Sequence, residues 1–195
     1  MEAQGDRRMY ATDDEPSSRR FISDVETLRA RARQHMERGA VTPDYPEGRA
    51  EICQLLNEAL ATELVCVLRY KRHYYSVRGS AGKVAASEFL EHATEEQAHA
   101  DRIAERIAQL GGEPDFNPAT LLARSHSEYD AHESLRAMLE ADLFAERVAI
   151  ESYREMVRYF GDRDPTSRRM MEEILASEEE HADDLVNLLH DLPVG

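Results

Sequence analysis

The sequence predicts an all-α fold: an antiparallel four-helix bundle with one long crossover, preceded by an N-terminal helical extension. Apolar residues recur at three- and four-residue spacing through four long stretches, and period-two strand patterns are missing. Glycine and proline gather where those stretches end. The composition agrees, with Ala, Glu, Leu and Arg frequent and Trp absent. A chain of 195 residues is long enough for one domain with a substantial core.

Residues 1–45 are read as a flexible tail followed by a short helix, and residues 46–195 as the bundle. The first 20 residues are polar and include Asp13-Asp14-Glu15-Pro16-Ser17-Ser18. Ile22, Val25, Leu28 and Ala32 then fall at helical spacing between Phe21 and Gly39, before Thr42-Pro43-Asp44-Tyr45-Pro46-Glu47-Gly48 breaks the pattern. The first long helix is expected over about 49–77, with Arg78-Gly79-Ser80-Ala81-Gly82 as its loop. The second runs from about 84 to 110 and stops at Gly111-Gly112-Glu113-Pro114. About 20 residues follow, in which Asn117-Pro118-Ala119-Thr120-Leu121-Leu122 suits a helical turn or two. The third helix is expected over 134–160, closed by Gly161, and the fourth over 165–189, with Pro165 favourable at its start. Two short connections make hairpins, and the long one can travel the length of a bundle.

The formal net charge is −15, which argues against a surface built wholly for polyanions. Eight arginines and eight acids balance over residues 1–40, so a neutral tail precedes an acidic body and DNA is not an expected partner. Packing against a neighbouring subunit is the role expected of this extension. Cys53 and Cys66, thirteen residues apart on one helix, lie roughly 20 Å apart and cannot bridge each other. Met1 to Ala11 does not resemble a signal peptide, and no apolar run approaches the roughly 20 residues of a membrane span. The expected location is therefore cytoplasmic.

The buried stripes carry the chemistry. They read Leu56, Leu60, Glu63, Val67, Tyr70 on the first helix and Phe89, His92 or Ala93, Glu96, His99, Ile103, Ile107, Leu110 on the second. The third gives Leu139, Glu146, Ile150, Tyr153, Val157, Phe160, and the fourth Met171, Ile174 or Leu175, Glu178, His181, Leu185, Leu188. Every helix thus places a glutamate in the middle of its apolar face. Four unpaired carboxylates in one interior would repel each other at a cost of several kcal/mol each. The stripes offer no Lys or Arg, only histidines. Divalent cations resolve the conflict, because four carboxylates balance two +2 ions and neutral imidazoles complete the coordination.

Spacing sharpens the assignment. Glu96-Gln97-Ala98-His99 and Glu178-Glu179-Glu180-His181 are both Glu-x-x-His, which puts both side chains on one helix face. Glu63 to Glu96 spans 33 residues and Glu146 to Glu178 spans 32, so the first hairpin repeats in the second at an offset of about 83. The candidate metal ligands are Glu63, Glu96, His99, Glu146, Glu178 and His181. Glu95, Glu179 and Glu180 are read as solvated or cavity-facing. The histidines His35, His126, His132 and His190 receive no partner from the sequence.

One glutamate from each of two helices and Glu-x-x-His from each of the others resembles the ferritin superfamily. The segments Leu56-Asn57-Glu58-Ala59-Leu60-Ala61-Thr62-Glu63, Glu96-Gln97-Ala98-His99-Ala100-Asp101, Asp142-Leu143-Phe144-Ala145-Glu146 and Glu178-Glu179-Glu180-His181 are most similar to bacterioferritin. The resemblance covers about residues 49–190. It implies two iron ions per subunit, with manganese as the alternative. Glu96 and Glu178 would bridge, Glu63 and His99 would complete one iron, and Glu146 and His181 the other. Tyr70 matches a tyrosine of the family that can donate an electron; read from the residues alone, it is a core tyrosine bonded to a carboxylate.

Gln97 stands where bacterioferritins carry a haem-ligating methionine, so no haem is expected. Fourteen residues follow His181, too few for a fifth helix, which favours a homo-oligomeric cage of 12 subunits over one of 24. The activity implied is a ferroxidase, oxidising Fe(II) to Fe(III) with O2 or H2O2 for iron storage and detoxification. The alternatives are a Dps-like protection protein and a rubrerythrin-like peroxidase.

Overall fold

The computed structural model describes residues 23–45 and 48–192. The tail expected over the first 20 residues lies outside them. Among the described residues there are six α-helices: α1 (Val25–Ala32), α2 (Arg49–Ser76), α3 (Gly79–Gln109), α4 (Leu121–Arg124), α5 (Leu135–Phe160) and α6 (Pro165–Asp191), with a 3₁₀ turn at Met36–Arg38. No strand occurs among the described residues. No helix among them is long and apolar enough to cross a membrane.

The long helices begin and end where local chemistry dictates. Ser134 caps α5 by accepting from the Ala137 amide at 3.2 Å, and Asp164 caps α6 by accepting from Ser167 at 3.0 Å, with Pro165 in the first turn. The sequence reading differs from the structure at the start of α3, which begins five residues before the expected Val84. Arg78 is extended and Gly79, at φ +87°, completes the reversal, so the glycine-rich stretch read as loop is mostly the first turn of helix. After α3, Gly112 packs so closely on α2 that a β-carbon there would stand 2.8 Å from Cys53 Sγ. The extension forms a shorter helix than expected. Asp24 caps it, it ends before His35 at φ +54°, and none of its residues is buried.

Two apolar cores fix the topology. One gathers Ile52, Leu56 and Leu60 of α2, Ile103 and Ile107 of α3, Met156 and Phe160 of α5, and Met171 and Ile174 of α6. The other gathers Cys66 and Tyr70 of α2, Phe89 and Ala93 of α3, Met138 and Leu139 of α5, and Leu185 of α6. α2 and α6 therefore run from the first core to the second, and α3 and α5 run back. α2–α3, α5–α6, α2–α5 and α3–α6 all pack as antiparallel neighbours.

The connection from α3 to α5 must then travel the bundle's length, and α2 holds it at several points. Asn57 donates to the Glu113 carbonyl and accepts from the Asp115 amide, and Thr62 accepts from the His126 amide. Arg72 reaches the carbonyls of Ala131 and His132. Deeper in, the fully buried Arg69 bonds Asp142 of α5 at 2.7 Å, together with Ser127 and the Glu128 carbonyl of the crossover. Asp142 also meets His73 Nδ1 at 2.8 Å.

At the opposite end Arg106 of α3 binds Asp164 at 2.8 Å, Ser167 at 2.8 Å and Tyr45 at 3.0 Å. Asp164 is thus both a helix cap and the counter-ion of a buried guanidinium. Burial works against its charge, but the hydrogen bonds from Ser167 prevail and hold its pKa below the usual carboxylate range. Asp164→Ala should cost about 3 kcal/mol in chemical denaturation at neutral pH. A carboxylate with a depressed folded-state pKa stabilises above its unfolded value and loses that contribution as pH falls through the folded one. The difference between wild type and variant should therefore shrink below about pH 4.

Candidate metal centre

The six carboxylates and imidazoles singled out from the sequence come together between the two apolar cores. α2 supplies Glu63, α3 supplies Glu96 and His99, α5 supplies Glu146, and α6 supplies Glu178 and His181, all buried. Each Glu-x-x-His pair sits on one face of its helix because three residues turn it through most of one revolution. His99 Nδ1 lies 3.0 Å from Glu178, 3.4 Å from Glu63 and 3.8 Å from Glu96. His181 Nδ1 lies 3.5 Å from Glu96, 3.5 Å from Glu178 and 3.9 Å from Glu146.

These side chains form two overlapping groups. In one, ligand atoms of Glu63, Glu96, His99 and Glu178 all lie within 4.8 Å of one another; in the other, those of Glu96, Glu146, Glu178 and His181 do. Glu96 and Glu178 belong to both. Each group offers three carboxylates and one imidazole nitrogen, a donor set suited to a first-row divalent metal.

The hydrogen bonding inside the cluster is unfinished. Among the described residues ten buried side-chain atoms have no hydrogen-bond partner, and seven belong to these six residues: Glu63 Oε2, Glu96 Oε1, His99 Nδ1, Glu146 Oε2, both oxygens of Glu178, and His181 Nδ1. Buried polar groups are ordinarily satisfied, so a concentration of orphans marks a place built around something else. The residues present fit a pair of divalent ions.

Electrostatics tell the same story. Burial, and next the charge of Glu96, push Glu63 well above the carboxylate range; burial with Glu96 and Glu146 pushes Glu178 up to about 8. Burial alone would raise Glu96 too, yet Glu63, His181 and His99 around it drive its pKa far down. His99 is pushed up to about 12 against the effect of burial by Glu178, Glu63 and Glu96, and His181 rises likewise beside Glu146, Glu178 and Glu96. Without a metal, protons must do the work of cations here.

An outer ring of side chains holds the inner six. Tyr70 donates to Glu146 Oε1, and Tyr153 donates to Glu63 Oε1, each crossing from one hairpin to the other. The sequence reading placed Tyr153 on the stripe but missed this role. The signal was present, since Tyr153 follows Tyr70 by the same 83 residues that separate Glu146 from Glu63.

Glu95 was read as solvated or cavity-facing, but it bonds His181 Nε2 at 2.6 Å and so turns Nδ1 toward the carboxylates. Nothing in the helical period reveals this bond, because it joins different helices. Glu179 and Glu180 are exposed, as expected. His35, His126 and His132 meet Glu37, Glu58 and Asp130 at or near the surface.

The ferritin-like domain matches residues 53–194. A nutrient stress-induced DNA-binding protein of a Synechococcus strain is 34% identical over 146 residues, covering 72% of this chain and 81% of that one. The bacterioferritin of Rhodobacter capsulatus is 31% identical over 138 residues, covering 70% and 81%. Among solved structures, a dodecameric thioferritin of Bacteroides fragilis, described as bacterioferritin-related, superimposes with a TM-score of 0.71 at 32% identity, over 73% of this chain and 86% of that one. With its all-helical bundle, its paired Glu-x-x-His helices and this match over most of its length, the chain belongs to the ferritin-like family.

Proposed function

We propose that this protein is a ferroxidase that oxidises Fe(II) to Fe(III) at a two-iron centre inside each subunit, in the service of iron storage and detoxification. The observation that carries the reading is the set of seven unpartnered buried atoms on Glu63, Glu96, His99, Glu146, Glu178 and His181. Membership of both groups suits Glu96 and Glu178 to touch both ions. Glu63 with His99 would hold one ion, and Glu146 with His181 the other. Iron bound there supplies the redox chemistry: two Fe(II) give up two electrons to O2 or H2O2, and carboxylate oxygens favour the ferric product.

The chain's own part is to desolvate the pair, fix the ligands and manage protons. Tyr70 and Tyr153 clamp the two terminal glutamates, while Glu95 orients His181. Tyr70, bonded directly to Glu146, is also placed to supply a further electron. Manganese fits the same donor set, and metal analysis of protein purified without added iron distinguishes the two.

The Bacteroides fragilis relative is dodecameric, and the sequence reading also favours a 12-subunit cage here. The exposed Val25, Leu28 and Met36 suit the N-terminal segment to packing on a neighbouring subunit. Light scattering should then give an assembly of roughly twelve times the 22.2 kDa chain mass. The Synechococcus relative is named for DNA binding. The charge of −15 on this chain favours cations over a polyanion.

Ferrous iron added to the metal-free protein under argon, followed by air, should oxidise rapidly and saturate near two irons per chain. Glu96→Ala/Glu178→Ala should reduce the initial rate at least tenfold, to that of buffer; equal rates in the two proteins would overturn the reading. The raised pKa values of Glu63, Glu178 and His99 mean that ligation displaces protons. Affinity for ferrous iron under argon should accordingly fall between pH 7.5 and pH 6, with proton release visible by calorimetry in buffers of different ionisation enthalpy.

A further inference from the structure

Beside the two-ion centre, on the α3–α6 face, Glu88, His92 and Asp184 offer ligand atoms that all lie within 4.8 Å of one another. His92 Nε2 is 3.7 Å from Asp184 Oδ2 and 4.0 Å from Glu88 Oε2. Both separations are too long for a hydrogen bond and suit an ion held at roughly 2.0–2.2 Å from each atom. The His92 side chain is 2% exposed, whereas Glu88 is 33% and Asp184 51% exposed, so the group runs from the interior to the surface.

The hydrogen bonding of His92 decides what Nε2 can do. Tyr70 spends its single hydroxyl proton on Glu146, and the same oxygen lies 3.2 Å from His92 Nδ1. Tyr70 can therefore only accept from His92, which places the imidazole proton on Nδ1 and leaves a lone pair on Nε2. The ring of His181 stacks on His92 at 4.1 Å and fixes the plane of the imidazole. A lone pair thus faces two carboxylates, and among the described residues Nε2 has no hydrogen-bond donor. Three acceptors within 4.8 Å of one another repel each other, and a cation between them relieves that repulsion.

We infer that Glu88, His92 and Asp184 form a third metal site, distinct from the two-ion centre, for a first-row divalent transition metal. One imidazole with two carboxylates favours such ions over magnesium or calcium, which prefer oxygen alone. The site shares no ligand with the pair and does not depend on the ferroxidase reading. Its nearest links to that centre are the His92–His181 stack and the Tyr70 hydroxyl.

Co(II) tests the site without redox chemistry, through equilibrium dialysis of the full-length protein under argon and its visible d–d bands. Wild type should bind three ions per chain and Glu88→Gln/Asp184→Asn two, with the loss of one spectral component. Both substitutions preserve shape on partly exposed side chains, and circular dichroism checks the fold. Glu96→Ala/Glu178→Ala, which removes both shared ligands of the pair, should retain one ion, and adding the two amide substitutions should abolish it. Identical counts and spectra with and without the amide substitutions, in both backgrounds, would overturn the site. A failed two-ion centre reads differently: wild type would bind one ion, still lost in Glu88→Gln/Asp184→Asn.

Discussion

Four carboxylates buried in one layer of a helical bundle set the terms for everything around them. Glu63, Glu96, Glu146 and Glu178 are each at most 1% exposed, and among the described residues two imidazoles are the basic groups that reach them. In a low-dielectric interior, that arrangement persists only if charge is neutralised by protons or by metal. The protein meets the cost by separating tasks. Two apolar cores, one on each side of the layer, supply the burial that stabilises the fold. The layer between them is left with unfilled hydrogen bonds, and that deficit suits it to cations.

The buried ion pairs outside this layer follow the opposite rule. Arg69 with Asp142, and Arg106 with Asp164, are complete: each guanidinium finds a carboxylate, a serine hydroxyl and a further oxygen. Satisfied pairs of this kind fix geometry and contribute little net affinity for anything else. Arg69 locks the crossover to α2 nearly two turns beyond Glu63, and Arg106 locks α3 to the start of α6. The two kinds of buried charge cluster thus differ in whether their carboxylate oxygens all find hydrogen bonds, and the one left open is the one suited to chemistry.

The sequence made the bundle and its inner ligands legible because both obey the helical period. A glutamate on every apolar stripe, and a histidine three residues after two of them, can be recognised without coordinates. What escaped has no such signature. Glu95 looks like any exposed helix acid until α6 brings His181 against it, and the Arg69–Asp142–His73 cluster joins positions some 70 residues apart. The boundary at Gly79 was misplaced because glycine signals both a reversal and a weak helix, and here it serves the first while the next residues continue the second. Tyr153 is the instructive miss: the internal repeat predicted it, and inspection of one hairpin at a time could not.

That repeat also shows where symmetry was given up. The Glu-x-x-His motifs are related by 82 residues, and the same offset carries Glu88 onto Met170, His92 onto Ile174 and Asp184 back onto Arg102. On the Glu63–His99 side these positions therefore hold two apolar residues of the core and a guanidinium paired with Glu173. On the Glu146–His181 side they hold two carboxylates and an imidazole. The inner six residues are close to equivalent by pseudo-twofold rotation, but their surroundings are not. One end of the ligand cluster is bordered by hydrocarbon and the Arg102–Glu173 ion pair, and the other adjoins two carboxylates, Glu88 and the half-exposed Asp184. A cation approaching through these helices meets net attraction only on the side of Glu88 and Asp184. The two positions of a paired centre in this protein should therefore fill and exchange unequally, a consequence of the hairpins' differing around the ligands and tyrosines that they share.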